Sequence, residues 1–305
     1  MGTLSVDSSQ EGFFGKAVGR LIRMVRNIKR DRVRTEVMKN MNPLPLNPVV
    51  DCEVSYLLCF KDFDMGMIAA WFLLRFSTRK IKLRFFEDGS LTEDQWIQLK
   101  TLFPGHDFLP RSEVDMKIEA HFGKDSNIVK VRKQNPLFHK LVDIPFLSQT
   151  GRATYSDPDI LYFTDPVDLL NAACSDSEIS YFNRDMESSY FYSTEILKEM
   201  LGRTIPERIN AGMYSVPVSS LDFGKLEKYL GEKPFSDFWK SWRVEQTLFA
   251  VLTSENGREV KWLPESYDVE YHKDVTKVPC KHYVGWIRHG FELEGLRYLL
   301  KKGWG

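Results

Sequence analysis

The chain has 305 residues, and its 42 lysines and arginines balance its 42 aspartates and glutamates, so the formal net charge is zero. This balance argues against a dedicated nucleic-acid-binding protein, which is normally basic overall. The four scattered cysteines include no CxxC pair, which argues against a thiolate zinc site and a disulfide framework. Neither a signal peptide nor a membrane-spanning run of about 20 apolar residues is recognisable, and the sequence therefore predicts a cytoplasmic protein.

Residues 1–48 are predicted to form an N-terminal extension that ends in the proline-rich connector NMNPLPLNP. Apolar residues recur at helical spacing from Phe14 to Ile28, with lysines and arginines between them, which predicts a basic amphipathic helix. We expect this helix to pack on the protein's own body or at a subunit interface. Peripheral contact with an anionic membrane is the alternative.

Residues 49–305 are predicted to form one α/β domain, and its first half covers about residues 50–185. Strand signals (VSYLLCF, IKLRFFEDGS, RATYSD) alternate with helix signals (MGMIAAWFLLRF, LTEDQWIQLKTLF, PLFHKLVDIPFLSQ). The continuous apolar run VSYLLCF is typical of a strand covered on both faces. Such alternation predicts βαβ units and a mainly parallel sheet. Thr92, followed three residues later by Gln95, suits a helix N-cap.

The second half, about residues 186–305, contains the strand NAGMYSVPV, a helix over 236–252, the irregular stretch CKHYVGWIRHGF and a final helix ELEGLRYLLKK. On the helix over 236–252, Glu245 falls in an otherwise apolar stripe. A carboxylate in such a stripe must be paired, protonated or facing a cavity. This predicts a functional carboxylate with a raised pKa. The alternatives are a salt bridge with an arginine such as Arg243 and a kink that turns Glu245 outward.

Two carboxylates lie at the carboxyl end of the predicted strand RATYSD. Asp157 and Asp159 are one residue apart, so in extended backbone both side chains point to the same side. Hard oxygen ligands in this position suit Mg²⁺ or Mn²⁺, which usually keeps water and substrate phosphates in the rest of its shell. The alternative for an isolated Asp-x-Asp triplet is a solvated turn.

The segment ATYSDPDILYFTDPVDLL resembles the DxD region of the GT-A class of nucleotide-sugar-dependent glycosyltransferases. Other segments are similar to that family in the family's order: YLLCFKDFDMGMIAAWFLL, RFFEDGSLTEDQW, NAGMYSV, VEQTLFAVL and KHYVGWIRHGFELEGL. The similarity covers roughly residues 50–300. It implies a GT-A-like, Rossmann-related α/β fold with helices flanking a mainly parallel sheet. It also implies metal-dependent transfer of a sugar from a nucleotide-diphosphate sugar to a hydroxyl of a glycan, a lipid-linked acceptor or a small molecule.

The resemblance also implies roles for individual residues. It implies that His282 is the third protein ligand of Mn²⁺ or Mg²⁺, and His289 is the alternative histidine for this role. The remaining implied residues are Asn210 and Gly212 beside the donor sugar, Glu245 and Gln246 as catalytic or acceptor-orienting groups, and Lys61, Asp88 and Lys140 on the nucleotide and its phosphates. For Lys140, a solvated helix face is the alternative.

Three alternatives stay open at the level of sequence. Pro158 between the aspartates offers no N–H, which leaves a metal-independent variant open. A degenerate, non-catalytic sugar-nucleotide-binding, carbohydrate-binding or scaffold protein is the second alternative. The third, a sugar nucleotidyltransferase, is disfavoured because the first strand is followed by Gly66 alone, not by a glycine-rich phosphate loop.

Overall fold

The computed structural model describes residues 8–304, with side chains from residue 18 onward. The chain divides into two units. The smaller unit joins the residues up to Met41 with the segment from Gly285 onward, and the larger unit covers Asn42–Val284.

The larger unit is built on a seven-stranded sheet of order β3-β2-β1-β4-β7-β6-β8 and a two-stranded sheet of β5 and β9. The strands are β1 Cys52–Leu58, β2 Ile81–Glu87, β3 Asp107–Leu109, β4 Arg152–Ser156, β5 Ile160–Tyr162, β6 Ser180–Arg184, β7 Ile209–Pro217, β8 Val260–Trp262 and β9 Cys280–His282.

The pairing pattern confirms the predicted α/β class. β1 runs parallel to β2 and β4, β2 to β3, and β6 to β8. β7, which contains the NAGMYSV segment, is antiparallel to both of its neighbours, β4 and β6. Six of the seven β1 residues are buried, as expected for a central parallel strand covered on both faces. The sheet is therefore mainly parallel, as the sequence predicted.

Helices flank the sheet: α2 contacts β1, α7 contacts β4 and α11 contacts β7. The predicted capping box of α3 is present, because Thr92 Oγ1 accepts from Gln95 N at 3.3 Å and Gln95 Oε1 accepts from Thr92 N at 3.1 Å. The helices of this unit are α2 Phe63–Phe76, α3 Glu93–Leu102, α4 Arg111–Phe122, α5 Asn127–Gln134, α6 Phe138–Leu141, α7 Asp143–Phe146, α8 Val167–Ala173, α9 Thr194–Leu201, α10 Phe223–Gly231 and α11 Val244–Thr253.

Two predicted helices differ from the structure. The helix expected over 136–149 is split into α6 and α7, each of four residues, and Pro145 within α7 has no N–H to donate to a longer ladder. The helix expected over 236–252 begins only at Val244. The Asn135 side-chain amide binds the carbonyls of Trp239 and Ser241, each at 3.0 Å. A tertiary contact thus uses backbone acceptors that a continuous helix would use itself.

The smaller unit contains α1 (Ser8–Lys39), a π-helix (Phe291–Leu296) and α12 (Arg297–Lys302). α1 contacts the π-helix, and there Arg30 Nε and Arg34 Nη2 lie 2.8 and 2.6 Å from the carboxylate of Glu292, which is fully buried. The predicted apolar stripe does not make this contact, because its described members Val18, Leu21, Ile22, Val25 and Ile28 are exposed. The helix thus packs on the protein's own C-terminal segment, as one of the two predicted arrangements has it, but this packing does not bury the stripe. Phe14, which begins the stripe, lies outside the described side chains.

Replacing both Arg30 and Arg34 with alanine is expected to lower the free energy of unfolding by about 3 kcal/mol, because the Glu292 carboxylate would be left buried without a cation. Urea unfolding followed by circular dichroism measures this change. The matched control is Arg20→Ala/Arg23→Ala, at two exposed positions of the same helix, which we expect to change stability by less than about 0.5 kcal/mol. Equal stabilities of the two double variants would contradict the role given to this ion pair.

Within residues 8–304, no helix combines the length and the apolar character needed to cross a membrane. All four cysteines are free thiols, in agreement with the expectation that the chain has no disulfide framework.

Candidate active site

Asp157 and Asp159 follow the carboxyl end of β4, as predicted. The Asp157 N–H donates to Gly212 O of the neighbouring strand β7 at 2.7 Å, which fixes the backbone at the end of β4. Between the aspartates, Pro158 packs against α2, where a Cβ on Gly66 would lie 3.1 Å from Pro158 Cβ and 2.4 Å from Leu58 Cδ2. Gly66 thus permits close packing beneath the acidic pair.

Strand pairing brings His282 to the same place. β5 and β9 are antiparallel with Ile160 opposite His282, and Tyr283 N donates to Asp159 O at 2.9 Å. His282 Nε2 lies 3.0 Å from Asp159 Oδ1 and 3.7 Å from Asp157 Oδ2. One ligand atom from each of the three residues lies within 4.8 Å of the others. Of the two histidines considered from the sequence, it is His282 that joins the aspartates, while His289 belongs to the smaller unit.

These separations fit a divalent cation. Adjacent ligand atoms of an octahedral site with bonds of 2.0–2.1 Å lie about 3 Å apart, and opposite ones about 4 Å apart. Two carboxylates and an imidazole form a donor set that Mn²⁺ accepts readily, and Mg²⁺ accepts the carboxylates. Burial lowers the pKa of His282, but the Asp159 and Asp157 carboxylates outweigh this effect and leave the pKa above its ordinary value.

Gly212 leaves the space in which these side chains meet. A Cβ at this position would lie 2.4 Å from His282 Cε1 and 2.7 Å from both Asp157 Oδ2 and Asn210 Oδ1. No other residue type has room here without moving the cluster. The Asn210 side chain is held on both sides, because its amide donates to Asp185 Oδ2 at 3.1 Å and its carbonyl accepts from Gly212 N at 2.9 Å.

Lys140 is buried in the site and is not on a solvated helix face. Its Nζ lies 3.4 Å from Asp157 Oδ1 and 3.7 Å from Glu245 Oε1, above the Tyr155 ring at 5.5 Å from its centroid. Burial lowers the pKa of Lys140, but the Asp157 and Glu245 carboxylates raise it by more, so the lysine is a cation. The Tyr214 hydroxyl donates to Lys140 O at 2.6 Å and anchors the short helix α6.

Glu245 lies in the first turn of α11 and is 2% exposed. Burial raises the pKa of Glu245 to about 7, with the Lys140 cation opposing this rise and the Asp157 carboxylate adding to it. Its Oε1 has no hydrogen-bond partner within residues 8–304. The alternative salt bridge with Arg243 is not formed, since Arg243 donates to Tyr190 O at 3.5 Å and Glu245 faces Lys140.

The apolar stripe predicted around Glu245 is not complete, because Trp242 does not belong to it. Trp242 precedes α11 and is 58% exposed, so it does not share a helical stripe with Glu245. The neighbouring residue, Gln246, accepts from Ala211 N at 3.1 Å through Oε1, while its buried Nε2 has no partner in the described part of the chain. Gln246 thus binds β7 next to Gly212, and its side-chain NH₂ group could still donate to a ligand.

The predicted nucleotide residues lie on the loops after β1 and β2. Asp88 N donates to Leu58 O at 3.1 Å, Ser90 N donates to Asp88 Oδ1 at 3.0 Å, and Phe60 N donates to Ser90 Oγ at 2.8 Å. Lys61 is exposed within the short 3-10 helix Phe60–Asp62. β1 pairs with both β2 and β4, so these loops leave the same edge of the sheet as the acidic pair, where ligands of open α/β sheets collect.

Two site residues were missed in the sequence. The Tyr155 hydroxyl donates to Asp157 Oδ1 at 2.5 Å, and the two-residue alternation of a strand could have indicated that these side chains share a face. Asp185 directly follows β6 and holds Asn210. Its position at a strand end was the available signal.

Comparison with known proteins gives a fold assignment. Neither a protein-family model nor a curated protein sequence matches this chain. Among solved structures, the bifunctional glycosyltransferase WbbM is similar at 15% identity, with 79% of this chain and 47% of WbbM covered and a TM-score of 0.51. This chain therefore spans about half the length of WbbM.

Mouse xyloside xylosyltransferase 1 is similar at 14% identity, with 71% of this chain and 86% of that protein covered and a TM-score of 0.49. The galactosyltransferase LgtC is similar at 12% identity, with 82% of this chain and 94% of LgtC covered and a TM-score of 0.48. The LgtC structure is a complex with donor and acceptor sugar analogues. The structural similarity to WbbM confirms the α/β fold that the resemblance to the GT-A glycosyltransferases implied.

Proposed function

We propose that the protein is a glycosyltransferase that moves a sugar from a nucleotide-diphosphate sugar to an acceptor hydroxyl with the help of Mn²⁺ or Mg²⁺. The observation that carries this proposal is the convergence of Asp157, Asp159 and His282 around the space left by Gly212. The cluster lies at the carboxyl edge of a mainly parallel sheet, where substrates of this architecture bind.

The metal would be held by these three side chains, and when bound it would offset charge on the departing nucleotide diphosphate. Lys140, a buried cation 3.4 Å from Asp157 Oδ1, adds positive charge beside the phosphate side of the site. Asn210 and Gln246 offer amide groups to the hydroxyls of the donor sugar. Lys61 and Asp88, on the loops after β1 and β2, bind the nucleotide.

Glu245 acts as the general base that takes the acceptor proton. Its pKa of about 7 is suited to this role, since a base is most effective near the working pH. Direct attack by the acceptor hydroxyl inverts the anomeric configuration. Products that retain the configuration of the donor would contradict this role for Glu245.

The two alternatives are less well supported by the site. Gly66 is occupied in packing against Pro158 and Leu58, so it does not supply the phosphate loop of a nucleotidyltransferase. A degenerate binding protein has no need for a complete set of metal ligands next to a buried carboxylate of raised pKa. The acceptor class (glycan, lipid-linked or small molecule) and the cytoplasmic location stay predictions.

A thermal-shift series with UDP, GDP and other nucleoside diphosphates, with and without Mn²⁺, tests the proposed function. We expect one nucleotide to raise the melting temperature only when Mn²⁺ is present, because a ligand that binds the native state alone stabilises it. Asp159→Asn is expected to abolish this shift, while the matched control Asp125→Asn, at an exposed position, keeps it. An equal shift in the Asp159→Asn variant would contradict the proposed metal site.

A further inference from the structure

The helix α1 has one face that packs within the smaller unit and another that does not. Arg30 and Arg34 reach Glu292 of the π-helix from the packed face. At 100° per residue, Val18, Leu21, Ile22, Val25 and Ile28 fall on an arc centred roughly 160° from these two arginines. The apolar face of α1 therefore lies on another side of the helix from the two arginines, and Leu293 of the π-helix borders it.

This apolar face is open. Ile22 is 61% and Ile28 60% exposed, and Leu21 and Met24 are more than half exposed. A groove of about 400 Å³ runs along it, lined by Leu21, Ile22, Val25, Arg26, Lys29 and Leu293. A contiguous apolar surface of this kind on a helix rimmed by charged residues marks an interaction site.

The charges around the face identify the chemistry of its occupant. Residues 18–34 contain seven lysines and arginines and a single acid, Asp31. Two of the cations serve Glu292, and Arg20 and Arg23 fall on the same side of the helix as these two, which leaves Arg26, Lys29 and Arg32 at or beside the apolar arc. Lys29 and Arg32 fall within the arc itself, where long side chains lay their stems on an apolar phase and extend the charge into water. An apolar face with interspersed cations is complementary to an anionic lipid surface.

We propose that this face of α1, residues 18–32, docks on an anionic phospholipid surface, with the helix lying along the bilayer plane. A second copy of the chain is disfavoured as the occupant, because two such faces would bring several cations of like charge together in an apolar interface. The proposal does not depend on the proposed sugar transfer, since its residues lie outside the metal cluster.

Co-sedimentation of the full chain with lipid vesicles tests the proposal. We expect binding to mixed phosphatidylcholine–phosphatidylserine vesicles, little binding to pure phosphatidylcholine vesicles, and weaker binding as the salt concentration rises. Leu21→Ser/Ile22→Ser/Val25→Ser is expected to lower the affinity for mixed vesicles about tenfold or more, because three aliphatic side chains no longer enter the lipid. The matched control Ile97→Ser/Met116→Ser, at two other exposed apolar positions, is expected to bind like wild type.

A second variant, Lys29→Gln/Arg32→Gln, tests the electrostatic part at two exposed cations within the arc without changing an apolar residue, and it serves if the triple variant is misfolded by circular dichroism. We expect it to weaken binding to mixed vesicles about tenfold. The proposal is overturned if wild type fails to sediment with mixed vesicles, or if the serine and glutamine variants bind as well as wild type. Concentration-dependent self-association that these variants abolish, without vesicle binding, would assign the face to a second copy.

Discussion

Replacing Gly212 with alanine is expected to abolish Mn²⁺ binding at the candidate site and to lower the transfer rate about a thousandfold, an effect typical of losing one group that stabilises developing charge. The added methyl would lie 2.4 Å from His282 Cε1 and 2.7 Å from Asp157 Oδ2, so two metal ligands must move. Calorimetric titration with Mn²⁺ measures the loss of binding, and release of nucleoside diphosphate measures the rate.

The matched control is Gly231→Ala, where the added methyl would meet only the end of the Asn127 side chain. We expect this variant to bind Mn²⁺ like wild type, and circular dichroism should give native spectra for both variants. A folded Gly212→Ala variant with wild-type metal binding and activity would show that the Asp157, Asp159 and His282 cluster is not the working site.

The second large effect is expected from Glu245→Gln. Because the proposed base must be ionised and burial raises the pKa of Glu245 to about 7, the wild-type rate should increase as pH rises through about 7 and level off above it. The glutamine variant should lose this ionisation from its pH profile and retain a rate about a hundredfold or more lower, as expected for the loss of a general base.

Glu245 should also make the stability of the protein depend on pH, and in the opposite direction to the rate. The native state holds the Glu245 proton more tightly than the unfolded chain, so the free energy of unfolding should fall as pH rises from about 4.5 to about 7. A difference of this size corresponds to about 3 kcal/mol, and Glu245→Gln should remove this pH dependence. Glu255→Gln is the matched control, since Glu255 is paired with Arg203 and Lys225 and should not affect the profile near pH 7. An unchanged pH–rate profile in Glu245→Gln would rule out Glu245 as the base.

The sequence by itself determined the features that depend on local spacing. The strand signal RATYS predicted that Asp157 and Asp159 lie at its carboxyl end, and β4 does end at Ser156. The backbone between the two aspartates is a turn, closed by Ile160 N donating to Asp157 O at 3.1 Å, and not the extended segment that the two-residue period assumes. The capping box formed by Thr92 and Gln95 lies at the N-terminus of α3, as predicted. The alternation of strands and helices gave the mainly parallel α/β sheet, because adjacent βαβ units have few ways to pack.

Only the tertiary structure decided which distant residues join the acidic pair. His282 joins the site because β9 pairs with β5, about 120 positions earlier in the chain, and no local pattern specifies such a pairing. Lys140 lies in the site on α6, the first of the two short helices into which the helix expected over 136–149 breaks, and Tyr214 anchors this helix. The face of α1 that stays exposed was likewise decided by the buried partner of Arg30 and Arg34. For α1 this long-range contact outweighs local periodicity, since burying a carboxylate without a cation costs more than leaving a few aliphatic side chains in water.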